Sequence, residues 1–142
     1  MMKIATPYPV VSEARLDRLQ TELGAALPAA YRRFLRRHNG GRASDAAFDV
    51  PRFGRSLVND FLAVDAGDHC DLMAMRRRVD HVLPPALLAV ADDPAGNLIC
   101  VGLAGATAQR VFFCCLEEPI ERGLYPLADD FDAFLALLQA EA

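Results

Sequence analysis

Tryptophan is absent from this chain, and cysteine occurs only four times, at positions 70, 100, 114 and 115. Four thiols are too few for a disulfide scaffold, and they read as reduced, small apolar residues. No apolar run approaches the roughly 20 residues that a membrane-spanning helix needs, so no membrane association is expected. Positive charge is in deficit: 15 Lys and Arg stand against 19 Asp and Glu, a net charge of −4. That balance lacks the basic footprint of a general nucleic-acid binder. The opening MMKIATPYPVV has a Thr-Pro-Tyr-Pro break where a secretory signal would have an apolar core, which predicts a cytosolic protein. Internal repeats, low-complexity segments and long linkers are also missing. A single domain over 1–142, with its core at about 12–138, is therefore expected. At 142 residues such a domain buries roughly 70% of its unfolded surface and can stand without covalent or metal staples.

What is present is most telling between Leu87 and Leu116. The runs LLAVA, LICVGL and VFFCCL are separated by the turn clusters DDPAGN and GATAQ, the pattern of an antiparallel meander. The second and third runs are apolar at nearly every position, which predicts strands covered on both faces. Helices are predicted before and after. Ser12 caps a first helix carrying Leu16, Leu19 and Leu23, with Val11 as a staple onto Leu16 and Gly24 as its stop. A second helix opens at Leu27-Pro28, aligns Tyr31, Phe34, Leu35 and His38 on one face, and closes at Asn39-Gly40-Gly41. An early strand is expected at 47–50 and another at 57–64. A third helix is expected from Asp68 or Asp71, with Leu72, Met75, Val79 and Val82 inward and Pro84-Pro85 as its end. The span 117–123 reads as a polar connection. Asp129 or Asp130 caps a last helix that buries Phe131, Phe134, Leu135 and Leu138. The fold class is α+β, a central, mostly antiparallel sheet flanked by helices.

Chemistry is harder to find. Arg32, Arg33, Arg36 and Arg37 form one face of the second helix, and Arg76-Arg77-Arg78 follow later, but no aromatics are interleaved to stack bases. They read as solvated helix faces that complement helix dipoles, and no nucleic-acid partner is expected. His69-Cys70-Asp71 is the most suggestive cluster, with His81 on the same expected helix. The zinc spacings C-x2-4-C and H-x3-5-H do not occur, and two histidines twelve residues apart on one helix lie roughly 18 Å from each other. No metal and no cofactor are expected. Cys114 and Cys115 are adjacent, so a strand sends them to opposite faces; with Cys100 they read as inert core thiols, and whether Cys100 opposes Cys114 is left open by the sequence. His38 reads as a helix-end hydrogen-bonding residue. The cluster Asp92-Asp93-Pro94-Ala95-Gly96-Asn97 is too short for a calcium-binding EF-hand and has the composition of a turn.

Leu27-Pro28-x-x-Tyr31-x-x-Phe34-Leu35 followed by Asn39-Gly40-Gly41 resembles the opening motif of the SUKH superfamily, the group named for the Smi/Knr-type cell-wall assembly regulators. Leu83-Pro84, Leu88, Ala91, Asp93 and Gly96-Asn97-x-Ile99-Cys100 are similar to its second motif. Val111-Phe112-Phe113 and Phe131-x-x-Phe134-Leu135 are similar to its third and fourth. The chain departs from the pattern at Cys114-Cys115, where the family usually carries Trp-Asp, and the stretch between Asp68 and Leu83 is unusually basic.

The resemblance implies a non-catalytic α+β domain. It also implies, for a bacterial member, an immunity protein that binds and neutralises a toxin domain, often a nuclease or deaminase, of a polymorphic or contact-dependent system. Basic clefts in such toxins favour an acidic, loop-borne binding face. Asp92, Asp93, Glu117, Glu118 and Glu121 are the expected partner-binding residues. A regulatory or scaffolding module without a toxin partner is the alternative, told apart by whether the gene lies beside that of a large secreted protein. A small thiol or metal enzyme is a third reading, which predicts bound zinc or a reactive cysteine.

Overall fold

The computed structural model describes residues 3–140. Ile4–Ala5 forms a short strand β1, and Glu13–Leu23 the first helix α1. Ser12 is its N-cap, with Oγ accepting the Arg15 N–H at 3.0 Å. Gly24 ends it with φ 72° and returns its N–H to the Gln20 and Thr21 carbonyls. Helix α2, Ala29–Arg37, buries Ala30, Tyr31, Phe34 and Leu35. Three of its four outer arginines are held by acids: Arg32 pairs with Glu13 and Asp17, Arg36 with Glu13, and Arg33 with Asp132. Most of the arginine face is thus tied into the fold itself.

After α2 the chain makes β2 (Arg42–Ala43), antiparallel to β1, and then the hairpin β3 (Ala47–Val50) and β4 (Gly54–Leu57). The single strand expected at 57–64 is a correction. Leu57 closes β4, and only Asp60–Phe61 (β5) joins the main sheet. Val58 and Asn59 separate the two, because the chain changes partner there: the Val58 N–H donates to the Ala46 carbonyl beside β3, and the Asn59 N–H to the Asp92 carbonyl at the end of the next strand.

Helix α3 spans Leu72–Arg78 with Asp71 as its cap, accepting the Ala74 N–H at 2.9 Å. It is shorter than expected. It stops well before the prolines, Val82 is 38% exposed, and His69 and His81 both lie outside it. Arg76 and Arg78 explain part of the local basicity, since their guanidinium groups donate to the Pro85, Leu87 and His69 carbonyls.

The meander is as expected: β6 (Leu87–Asp92), β7 (Leu98–Gly102) and β8 (Val111–Cys114) run antiparallel, and every residue of β7 and β8 is buried. Cys100 opposes Phe112, and Cys114 opposes Leu98, so the two thiols are diagonal rather than paired. The connection at 117–123 holds a short helix α4, Ile120–Gly123, and β9 (Leu124–Ala128) follows as a fifth strand that the sequence does not announce. Its Pro126 lacks an N–H, as suits the last strand of a sheet ordered β5-β6-β7-β8-β9. Helix α5, Phe131–Leu137, is capped by the Asp130 carboxylate on the Ala133 N–H.

Both sheet faces are covered, as the apolar runs require. Over one, an aromatic cluster joins Phe34, Phe61 and Phe131, with ring centroids 4.9–6.3 Å apart, and continues through Phe134 to Phe48 and Phe113. Over the other lie α3 and the loop after it, where Val79 and Leu83 line one concavity with Ala89, and Val82 lines another with Cys114. Residues from nearly every element form one hydrophobic core.

Candidate functional site

The segment that follows α2 organises the neighbouring chain. Asn39 is 4% exposed, and its amide donates to the Pro9 and Val64 carbonyls while its Oδ1 accepts the Val64 N–H at 2.8 Å. One side chain therefore joins the segment leading into α1 to the stretch after β5. Gly40 and Gly41 have φ 70° and 117°. A Cβ on Gly41 would stand 2.3 Å from the Ala5 carbonyl oxygen, and one on Gly40 2.8 Å from that of Phe61. Glycine is needed at both, for conformation and for space. With Leu27, Pro28, Tyr31 and Phe34, these residues set the N-terminal strands against β5: Leu27 and the two aromatics in the core, and Pro28 at the start of α2.

That close approach leaves a cavity of about 520 Å³ between residues 5–8, Gly41-Arg42, Asp60 and His69-Cys70. Ligand atoms of Asp60, His69 and Cys70 all lie within 4.8 Å of one another. Backbone pairing brings them there: Ala63 N–H donates to the Cys70 carbonyl and Leu72 N–H to the Ala63 carbonyl, setting residues 70–72 beside the extension of β5. Asp60 is buried and is supported by Arg42 Nε at 3.1 Å and Asn59 Nδ2 at 3.1 Å. Tyr8 donates its hydroxyl to Asp68, whose other oxygen accepts the Cys70 N–H. Burial pushes the Cys70 thiol up. The Cys70 N–H holds the Asp68 carboxyl below its ordinary range. The histidine-cysteine pair stands out in the sequence. Asp60, Arg42 and Tyr8 do not, since they are 10, 28 and 62 residues from Cys70 in the chain.

The expected acidic face is divided by the structure. Asp93 is 6% exposed and turned inward, a correction to its place among partner contacts. Its carboxylate accepts the Ala95 and Asn97 N–H groups, the Asn97 amide and the Ser56 hydroxyl. It is the hub of the β6–β7 turn, in which Gly96 takes φ 89° and Asn97 Oδ1 accepts the Leu116 N–H. Asp92 is half-buried; desolvation raises its pKa, and Oδ1 accepts the Asp60 N–H at 3.0 Å. Glu117 and Glu121 are exposed, and Glu118 accepts the Tyr125 hydroxyl at 2.8 Å. Glu118 and Glu121 border a shallow concavity of about 270 Å³ with Val82, Leu116, Ile120 and His81. Cys114 lies at its base but is 1% exposed, and burial pushes its thiol up to about 11. No thiolate nucleophile is presented there at neutral pH.

Among the described residues no helix is long and apolar enough to cross a membrane. A family model described as the SMI1 / KNR4 family (SUKH-1) matches residues 10–137. No curated protein matches the chain.

Proposed function

The chain belongs to the SMI1/KNR4 family (SUKH-1), and from that premise we propose that it is a non-catalytic immunity protein, acting in the cytosol. It would bind and neutralise a basic toxin domain, such as a nuclease or deaminase, through the exit of β8. One observation carries the choice of face. Val82 and Leu116 are large apolar residues 38% and 37% exposed, and they meet in a concavity bordered by Glu118 and Glu121, with Glu117 beside it. An apolar centre with a charged rim is the anatomy of a specific protein interface. Its negative sign suits a partner whose active cleft attracts phosphates, since complementary charge speeds encounter and fixes orientation.

The test first asks whether the gene lies beside that of a large secreted protein, and then pairs the chain with the variable C-terminal domain of that neighbour. Co-expression should rescue growth and the two should co-purify. Glu117→Lys, Glu118→Lys and Glu121→Lys combined should slow association about tenfold or more at low salt and flatten its salt dependence. Leu116→Asp should instead speed dissociation. Unchanged binding by both variants would remove this face. Failure of rescue and of co-purification together would favour a regulatory module without a toxin.

A further inference from the structure

We propose that Asp60, His69 and Cys70 form a binding site for a divalent transition-metal ion of the zinc type, open to the cavity beside β1. This inference is independent of the toxin-binding reading, because it uses a different face of the molecule.

The donor set carries it. A carboxylate oxygen, an imidazole nitrogen and a thiolate sulfur are the three ligand types that zinc takes, and the mixture suits an ion of borderline softness rather than magnesium or calcium. A tetrahedral zinc with bonds of about 2.0–2.3 Å holds its donors roughly 3.3–3.8 Å apart. The three groups already lie within 4.8 Å of one another. His69 is exposed, so its ring is free to turn toward the buried Asp60 and Cys70.

The surroundings are those of a supported site. Arg42 and Asn59 each hold one oxygen of Asp60, leaving further lone pairs on both for an ion. Such outer contacts orient a ligating carboxylate. The Arg42 side chain is 69% exposed, so solvent screens its charge from an incoming cation while Nε stays on Asp60. The Cys70 carbonyl and N–H are both bonded, to the Ala63 N–H and the Asp68 carboxylate, which fixes the backbone beneath the thiol.

Binding replaces the Cys70 thiol proton with the ion and releases that proton to solvent, as zinc–thiolate bonding requires. Three protein ligands leave a fourth position for water or for a donor entering the cavity of about 520 Å³.

The experiment is a titration of the metal-free full chain with Zn²⁺ by calorimetry and with Co²⁺ by absorption. The expected result is one ion per chain, with a thiolate-to-cobalt charge-transfer band and tetrahedral cobalt absorption. His69→Ala alters an exposed side chain and should fold normally, yet weaken binding at least tenfold. Cys70→Ser should abolish the charge-transfer band, and Asp60→Asn should weaken binding. His81→Ala and His38→Ala should leave it unchanged. Absence of the charge-transfer band in the wild-type chain, or equal affinity in the wild-type chain and His69→Ala, would overturn the proposal. Should Cys70→Ser or Asp60→Asn fail to fold, the His69→Ala comparison decides alone.

Discussion

Asn39 and Tyr31 sit within one helix-and-turn segment and are predicted to respond to substitution with opposite sign. Asn39 satisfies three backbone groups at once. Asn39→Ala strands the buried Val64 N–H and releases the segment around Pro9, a loss of about 3 kcal/mol in unfolding free energy by denaturant titration. Tyr31 is 1% exposed, and among the described residues its hydroxyl is the buried side-chain polar atom without a hydrogen-bond partner. Burial raises its pKa, so the phenol stays neutral. Tyr31→Phe removes a desolvated group and keeps the ring against Phe131, at a centroid distance of 5.1 Å. A gain of about 1 kcal/mol is expected, read by the same titration. Both positions belong to the Leu-Pro-to-Asn-Gly-Gly motif visible in the sequence. Its apolar members follow from helical spacing, but the tasks of Asn39 and Gly41 depend on Pro9, Val64 and Ala5, which periodicity cannot bring near.

At the scale of elements, the β6–β7 turn has a titration signature. Asp92 has a folded-state pKa raised by desolvation. The native state therefore keeps its proton to higher pH than the unfolded chain does. Stability falls as pH rises between the two values, and the penalty is complete at neutral pH. Asp92→Asn retains an oxygen for the Asp60 N–H and removes the charge. It should raise the midpoint of thermal unfolding at pH 7, with the gain vanishing below about pH 3.9, the unfolded carboxyl value. A gain that persists at acid pH would place the effect elsewhere. Elements with a strong apolar period or a clear cap were legible in the sequence: the three meander strands, α1, α2, and α5 with its Asp130 cap. The missed ones have neither. Gly54–Leu57 reads Gly-Arg-Ser-Leu, a strand only because β3 lies beside it, and Leu124–Ala128 contains Pro126 and is half-buried along most of its length. Asp60 shows why the cavity stayed hidden. A charged residue in a two-residue strand carries no pattern, and its importance comes from what the chain folds against it.

For the whole molecule, the doubly covered sheet makes its thiols reporters of cooperative unfolding. All four cysteines are buried and unbridged, and burial holds the Cys100 and Cys114 thiols above their ordinary range. In native buffer Cys100 and Cys114 should resist thiol reagents, labelling at a rate that follows global unfolding across a denaturant series. Cys70, at the wall of the cavity, should label first. Rapid native labelling of Cys114 would mean that the loop after α3 opens independently of the sheet.

The two ends of the main sheet are finished differently. At one, Gly41 exchanges backbone hydrogen bonds with Phe61 and occupies part of the outer rim of β5. At the other, Pro126 leaves β9 one amide short. A rim partly occupied on one side and lacking a donor on the other is a poor template for a passing extended chain. Crowded copies of this protein should thus stay separate rather than stack edge to edge, and whatever they recruit has to be recognised by side chains instead of by adding a strand.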